Sequence, residues 1–143
     1  MEVRGITAAP YDAGVAKDLA GLRVLLVEDE VLACLEVEDL LRGVGCRIVG
    51  PAGRLDDALR LAREAELDGA LIDLNLAGEP AYPVIDALIA RAVPYVLVTG
   101  YDMPSVAAPY RGAPHIGKPF AESAVLSAVQ RFNDSRTRPP PRG

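Results

Sequence analysis

Short apolar runs that alternate with helical patterns constrain the fold of this chain most. The clearest runs are residues 22–27, 69–72 and 95–98, and each is followed at once by a polar or acidic side chain. Runs of this length between amphipathic segments are typical of buried strands in a parallel sheet. Parallel strands need crossover connections, and these are almost always right-handed. The pattern therefore predicts an α/β fold with a doubly wound, five-stranded parallel sheet.

The same pattern gives the bounds of the predicted elements. Gly43 and Gly45 end the first helix, and Gly50-Pro51 is interpreted as the end of the second strand. Residues 75–80 are predicted to be a loop. The remaining elements follow from periodicity: strands at 23–27, 46–49, 70–74, 95–98 and 114–117, and helices at 31–42, 55–66, 82–91 and 122–132.

Residues 100–114 break this alternation. Pro104, Pro109 and Pro114 lie in this segment together with two glycines. A proline inside a helix costs about 3 kcal/mol, because it removes a hydrogen bond and clashes with the preceding turn. We therefore expect the fourth helix to be short or irregular, with at most a distorted turn near residues 104–108.

The chain divides into three predicted parts: an N-terminal extension at 1–20, one domain at 21–133 and a disordered tail at 134–143. The length of 143 residues suits a single domain with a real core. No second domain or internal repeat is visible in the sequence.

Composition excludes several function classes. The net charge is −5 and no run of basic residues is present, which argues against nucleic acid as a direct partner. No apolar run reaches membrane-spanning length, and residues 1–18 lack the apolar core of a signal peptide. We therefore expect no membrane partner and a cytoplasmic location. Cys34 and Cys46 lack metal-type spacing and are predicted to be free, partly buried thiols.

The polar residues that follow the strands carry the functional prediction. They are Glu28, Asp29, Asp73, Thr99 and Lys118. Ligands bind beyond the carboxyl ends of strands in parallel sheets, so these side chains should meet on one rim. Carboxylates hold a divalent cation, whereas a hydroxyl and an ammonium hold an anion. The sequence therefore predicts a site for Mg²⁺ and a phosphoryl group, with Asp29 and Asp73 as direct metal ligands and Glu28 as a direct or water-bridged one.

Two further observations concern the charged residues expected at this rim. Only two of the fifteen basic residues are lysines, and Lys118 is the only one inside the predicted domain, since Lys17 lies in the extension. Glu30 completes an acidic triplet with Glu28 and Asp29, but acids favour the first turn of a helix, so we interpret Glu30 as a solvated helix start.

Four motifs carry a family resemblance, and they occur in the family's order across residues 22–132. LLVEDE contains Glu28 and Asp29, ALIDLNL contains Asp73, VLVTGYD contains Thr99, and HIGKPF contains Lys118-Pro119. Together they resemble the CheY-like receiver domain of two-component response regulators, which has a flavodoxin-like fold. The stretch PYVLVTGY is also similar to an alphaproteobacterial subgroup of single-domain regulators, nicknamed FAT GUY after a Phe-Ala-Thr-Gly-…-Tyr motif. Here Leu97 and Val98 stand in place of Phe-Ala.

The resemblance implies a role for each residue of the rim. Asp73 would be the phosphoacceptor, Thr99 would donate its hydroxyl to the phosphate, and Lys118 would pair with a phosphate oxygen. The Asn75 main-chain carbonyl would join the acids as a metal ligand. Thr99 and His115 would form the switch, in which a ring moves inward as Thr99 is drawn to the phosphate. Pro119 would fix the chain behind Lys118 through a cis bond.

The resulting prediction is a stand-alone, single-domain response regulator. It would take a phosphoryl group on Asp73 from a histidine kinase or a phosphotransfer protein and change its contacts with an unknown downstream protein. It would not be an enzyme beyond promoting its own phosphorylation and dephosphorylation. A phosphorylation-independent docking module and a phosphate sink remain alternatives. An enzyme that uses Lys118 as a Schiff-base residue is disfavoured, because the neighbouring acids would hold the lysine charged.

Overall fold

The computed structural model describes residues 19–100 and 105–137 of the chain. In chain order the elements are β1 (Arg23–Val27), α1 (Val31–Gly43), β2 (Arg47–Ala52), α2 (Leu55–Glu64), β3 (Gly69–Ile72), β4 (Asn75–Leu76), β5 (Glu79–Pro80), α3 (Tyr82–Ala90), β6 (Tyr95–Thr99), β7 (His115–Gly117) and α4 (Glu122–Thr137). A 3₁₀ turn at Ala108–Tyr110 lies between β6 and β7.

The main sheet is parallel and has the strand order β2-β1-β3-β6-β7. Strand β1 lies second from the edge and pairs with β2 on one side and with the central strand β3 on the other. The order reverses beside β1, which creates a switch point between the carboxyl ends of β1 and β3, where ligands bind in such sheets. The predicted doubly wound α/β fold is confirmed.

Two apolar cores hold the helices on opposite faces of the sheet. Along β1, Val24 and Leu26 contact one core, whereas Leu25 and Val27 contact the other, as the period of a strand requires. The first core takes its helical side chains from α1 and α4, and the second takes them from α2 and α3. This layering leaves the carboxyl edge of the strands open. No helix among the described residues is both long and apolar enough to cross a bilayer.

Several predicted bounds differ from the structure. Strand β2 does not end at Gly50-Pro51 but continues to Ala52, where the Glu28 N–H donates to the Ala52 carbonyl at 2.9 Å. A register irregularity between Leu25 and Val27 accommodates this stretch, in which Gly50 has a φ of 96° and precedes a cis peptide bond. Strand β2 is an edge strand, and edge strands tolerate proline.

Two other predicted segments also differ. The predicted loop at 75–80 contains a small antiparallel hairpin, β4–β5, in which Asn75 pairs with Pro80. Helix α4 continues to Thr137 and so includes the first four residues of the segment assigned to a tail. The division into extension, domain and tail stays a prediction, and residues 1–18 and 138–143 lie outside the described part of the chain. The irregular fourth connection is confirmed, because residues 105–114 contain only 3₁₀ and turn structure.

Candidate functional site

Strand β1 delivers two carboxylates of very different exposure to the rim. Glu28 follows Val27 and is only 5% exposed, whereas Asp29 is exposed. The Glu28 Oε2 atom accepts the Glu30 N–H at 3.1 Å, which turns this carboxylate inward at the start of α1. On Asp29, the Oδ2 atom accepts the Ala77 N–H at 2.8 Å from the tip of the β4–β5 hairpin.

Strand β3 places Asp73 beside these acids. The Asp73 N–H donates to the Val27 carbonyl at 2.7 Å, so Asp73 continues the β1–β3 pairing, and it is 8% exposed. Its Oδ1 atom accepts the Asn75 N–H at 3.1 Å. Carboxylate oxygens of Glu28, Asp29 and Asp73 all lie within 4.8 Å of one another. The three acids therefore converge as the strand-end argument predicted.

Strands β6 and β7 bring Thr99 and Lys118 to the opposite side of the same cleft. Thr99 is buried at the end of β6, and its carbonyl accepts the Lys118 N–H at 3.0 Å. The Lys118-Pro119 peptide bond is cis, as predicted. The Lys118 ammonium lies 2.7 Å from Glu28 Oε1 and 3.2 Å from Asp73 Oδ2. A cation therefore already bridges two of the three acids.

Burial and charge oppose each other at this bridge. Burial raises the pKa of Glu28 to about 7; the hydrogen bond from Lys118 works against this rise, and Asp73 adds to it. For Lys118, burial would lower the pKa, but the hydrogen bonds and charges of Glu28 and Asp73 outweigh it, so the net pKa is raised. The ammonium therefore stays charged, which counts against a Schiff-base role.

An open cleft of about 670 Å³ contains nearly all of the residues predicted for the site. It is lined by Glu28, Asp29, Glu30, Asp73, Asn75, Ala77, Thr99, Gly100 and Lys118. His115 does not line it: the residue is exposed at the start of β7, and its ring nitrogen Nδ1 lies 3.5 Å from the Ala113 carbonyl. The switch role of His115 stays a prediction.

Two residues that line this cleft, Glu30 and Ala77, were not predicted as site residues from the sequence. Glu30, interpreted as a helix start, also approaches the Lys118 ammonium at 3.8 Å. Its place in the acidic triplet was the available signal. Ala77 contributes its backbone N–H, which donates to Asp29. An alanine side chain gives no sign in the sequence of such a role. The Asn75 side chain faces the hairpin, where its Oδ1 atom accepts the Gly78 N–H at 2.8 Å.

Neither cysteine side chain lines the cleft. Both are free and buried, and burial raises the pKa of each thiol to about 11. The Cys34 thiol donates to the Glu28 carbonyl at 3.5 Å, which is a weak contact behind the site. Packing accounts for both residues.

A parallel sheet with three clustered acids, a buried threonine and a lysine followed by a cis-proline bond at its carboxyl edge defines a receiver-type protein. The comparisons with known proteins agree with this class. No family model matches the chain. The chain is 30% identical over 132 residues to the phyllosphere-induced regulator PhyR of Methylorubrum extorquens. The aligned region covers 87% of this chain and 49% of PhyR. It spans about half the length of the curated relatives it matches.

Two solved structures extend the comparison. SdrG from Sphingomonas melonis is 34% identical, with a TM-score of 0.69, and the match covers 78% of this chain and 96% of SdrG. The receiver domain of the sensor histidine kinase PA1611 from Pseudomonas aeruginosa shares the fold, with a TM-score of 0.67 and 24% identity over 80% of this chain and 99% of that domain. That structure holds a magnesium ion in its active-site cleft.

The chain belongs to the CheY-like receiver domain family of response regulators. Receiver domains act in two-component signalling and are not a family of catalytic enzymes.

Proposed function

We propose that this chain is a phosphoacceptor regulator that takes a phosphoryl group on Asp73 from a histidine kinase or a phosphotransfer protein. The observation that supports this best is the position of the Asp73 carboxylate. It lies in an open cleft, 3.2 Å from the Lys118 ammonium and within 4.8 Å of carboxylate oxygens of Glu28 and Asp29. A carboxylate held between a fixed cation and a metal-binding cluster suits nucleophilic attack on phosphorus.

The proposed transfer is one displacement. An oxygen of Asp73 forms a bond to phosphorus while the P–N bond of a phosphohistidine donor breaks. The donor's imidazole leaves with the electron pair and takes up a proton from solvent. Lys118 turns from Asp73 and Glu28 toward an oxygen of the new acyl phosphate, and the Thr99 hydroxyl donates to another. Lys118 neutralises part of the charge that moves onto this chain, and Thr99 stabilises it through a hydrogen bond.

The donor set of the cleft fits Mg²⁺. Its ligands are hard carboxylate oxygens, no histidine or cysteine side chain lines the cleft, and the three acids lie close enough to share one ion. We assign Asp29, Asp73, Glu28 and the Asn75 main-chain carbonyl as the residues that would hold it. When bound, the ion supplies positive charge that offsets repulsion between the acids and the incoming phosphoryl group.

The output of this switch would be altered contact with a downstream protein, transmitted through Thr99 and His115. We also place the chain in the subgroup with the Phe-Ala-Thr-Gly-…-Tyr motif. Two features support that placement: Thr99-Gly100-Tyr101 in the sequence, and the 3₁₀ turn at Ala108–Tyr110, which agrees with the shortened fourth helix that the resemblance to this subgroup implies.

Intact-mass measurement after incubation with acetyl phosphate and Mg²⁺ tests the proposal directly. The chain should gain one phosphoryl group that hydroxylamine removes, as expected of an acyl phosphate. Asp73→Ala should abolish the gain, whereas Asp39→Ala, on the exposed face of α1, should retain it. A mass gain that survives Asp73→Ala would contradict the proposal.

A pull-down of a cognate partner separates the alternatives. The chain is used with and without beryllofluoride, which mimics the phosphoryl group. A phosphorylation-dependent switch should bind its partner differently in the two states. Equal binding in both states would instead favour a phosphorylation-independent docking module. Phosphorylation with no partner that distinguishes the states would favour a phosphate sink.

A further inference from the structure

Two tyrosines and an aspartate form contacts between helix α3 and the irregular segment at residues 105–114. The rings of Tyr82 and Tyr110 stack, with their centroids 4.5 Å apart and their planes at 16°. The Tyr110 hydroxyl donates to Asp86 Oδ1 at 2.8 Å, and the Ala107 N–H donates to the Tyr82 hydroxyl oxygen at 2.9 Å. We call Tyr82, Asp86 and Tyr110 the tyrosine clasp.

The segment held by the clasp is compact. The Tyr110 N–H donates to the Ala107 carbonyl at 2.9 Å, and the Ala113 N–H donates to the Tyr110 carbonyl at 3.1 Å. The Arg111 side chain donates to the Val106 carbonyl at 3.1 Å, while the Val106 side chain is fully buried against the α2–α3 core. Because these contacts lie within one short stretch, a pull on its end is transmitted to Tyr110.

The clasp also connects the two sides of the phosphoryl site at a point outside the cleft. Tyr82 follows Asp73 by nine residues and begins α3 directly after the β4–β5 hairpin, where the Ala81 N–H donates to the Leu74 carbonyl at 2.7 Å. Tyr110 precedes Lys118 by eight residues, with β7 between them. One partner of the stacked pair therefore follows the phosphoacceptor, and the other precedes the anion-binding lysine.

We propose that the tyrosine clasp is an autoinhibitory contact that favours the phosphate-free arrangement of the receiver. This inference rests on the proposed function. The clasp is present together with Lys118 bound to Glu28 and Asp73, which is the pairing that a phosphoryl group has to displace. Movement of Lys118 onto the phosphate pulls on β7, and through β7 on the end of the segment at residue 114. An interaction made in one state and weakened in the other shifts the equilibrium by its difference in free energy.

Beryllofluoride affinity of the full chain, measured with Mg²⁺ present, tests this proposal. Tyr110→Phe keeps the stacked ring but removes the hydrogen bond to Asp86, so beryllofluoride should bind about threefold more tightly. Tyr110→Ala also removes the stacking and should give about a tenfold gain. Asp86→Ala removes the same hydrogen bond from an exposed helix position and should behave like Tyr110→Phe. It keeps the test informative if Tyr110→Ala does not fold. The control is Asp39→Ala, which removes an exposed helical acid on α1, on the opposite face of the sheet from the clasp.

Hydrogen exchange of the unliganded variants provides a second readout. The Ala107 amide should exchange faster in Tyr110→Ala than in the parent chain, because its acceptor on Tyr82 is no longer held in place. Faster exchange with unchanged beryllofluoride affinity would show that the clasp is only structural and would overturn the proposal. Weaker beryllofluoride binding would overturn it as well, since the clasp would then favour the phosphorylated form. A parent chain that binds no beryllofluoride at all would instead contradict the proposed function, and the clasp's inhibitory role with it.

Discussion

The ammonium of Lys118 lies 2.7 Å from Glu28 Oε1, which makes the nearly buried Glu28 its closest partner. The sequence assigned these two residues to different tasks, one to the phosphate and one to the metal. The structure shows that they form an ion pair with each other. Lysine thus offsets part of the charge that Mg²⁺ would otherwise have to balance alone.

Lys118→Ala should therefore lower stability most in the absence of Mg²⁺. The change leaves Glu28 and Asp73 without their shared cation, and we expect a loss of about 1–3 kcal/mol, less than for a fully buried pair because the lysine is partly exposed. Thermal unfolding with and without Mg²⁺ measures this effect. Mg²⁺ should restore more stability to this variant than to the parent chain or to Lys118→Arg, which keeps the charge. Equal Mg²⁺ responses in all three would argue against a shared charge balance.

Asp29→Asn should weaken Mg²⁺ binding at least tenfold. Asp29 is the exposed member of the acidic cluster, and its loss removes one of three carboxylates that lie within 4.8 Å of one another. Its hydrogen bond from Ala77 can survive in the amide, so the fold should be unaffected. Titration calorimetry measures the affinity, with Glu36→Gln on the exposed face of α1 as the matched control. The metal site is misassigned if the two variants bind Mg²⁺ equally well.

The strand-end rule predicted most of the site from sequence. Glu28, Asp73 and Lys118 each follow a parallel strand, and Thr99 is the last residue of one. These four residues meet because the carboxyl ends of such strands lie along one edge. The hairpin at 75–80 could not be predicted, because each of its strands has two residues and Ala77 adopts a φ of 52° without being glycine. A tertiary contact with Asp29, not a local pattern, accompanies that conformation.

Two further features of the structure could not be predicted from the sequence, for different reasons. Gly50-Pro51 is a strong terminator in isolation, but as part of the edge strand β2 it continues the pairing with β1. The clasp joins tyrosines that are 28 residues apart in sequence, and neither carries a motif. Contacts of this kind depend on how helices pack on the sheet, which periodicity does not specify.

Asp68 should make the fold sensitive to acid. It follows α2 and receives the Arg23 side chain at 3.0 Å and the Arg23 N–H at 2.8 Å. Burial would raise the pKa of Asp68, but the hydrogen bonds and charge of Arg23, with a smaller part from Arg136, hold it below its ordinary value of 3.8. A carboxyl with a depressed pKa in the folded state contributes its stability fully above the ordinary value. That stability is lost as the pH falls through the folded pKa.

The measurement is chemical denaturation between pH 7 and pH 3 for the parent chain and Asp68→Asn. The parent should lose stability more steeply below about pH 4 than the variant, and the variant should be less stable at pH 7. Asp39→Asn, an exposed acid on α1, serves as the control and should follow the parent. If the parent and Asp68→Asn lose stability in parallel, the ion pair does not contribute in the way described.

Gly69→Ala should destabilise the fold by about 1–3 kcal/mol, because it overpacks the core between β3 and α4. A Cβ atom at Gly69 would clash with the ring of Phe132, which is 2% exposed. Denaturant unfolding measures the loss, with Gly43→Ala as the matched control, since a Cβ there meets nothing within 4 Å. Combining Gly69→Ala with Phe132→Leu should recover part of the loss, because the smaller side chain vacates the space that the new methyl group needs. Equal stability of Gly69→Ala and Gly43→Ala would mean that α4 can move away from the sheet at little cost in free energy. The packing of α4 against β3 would then not fix the position of β3, nor that of Asp73, which follows β3.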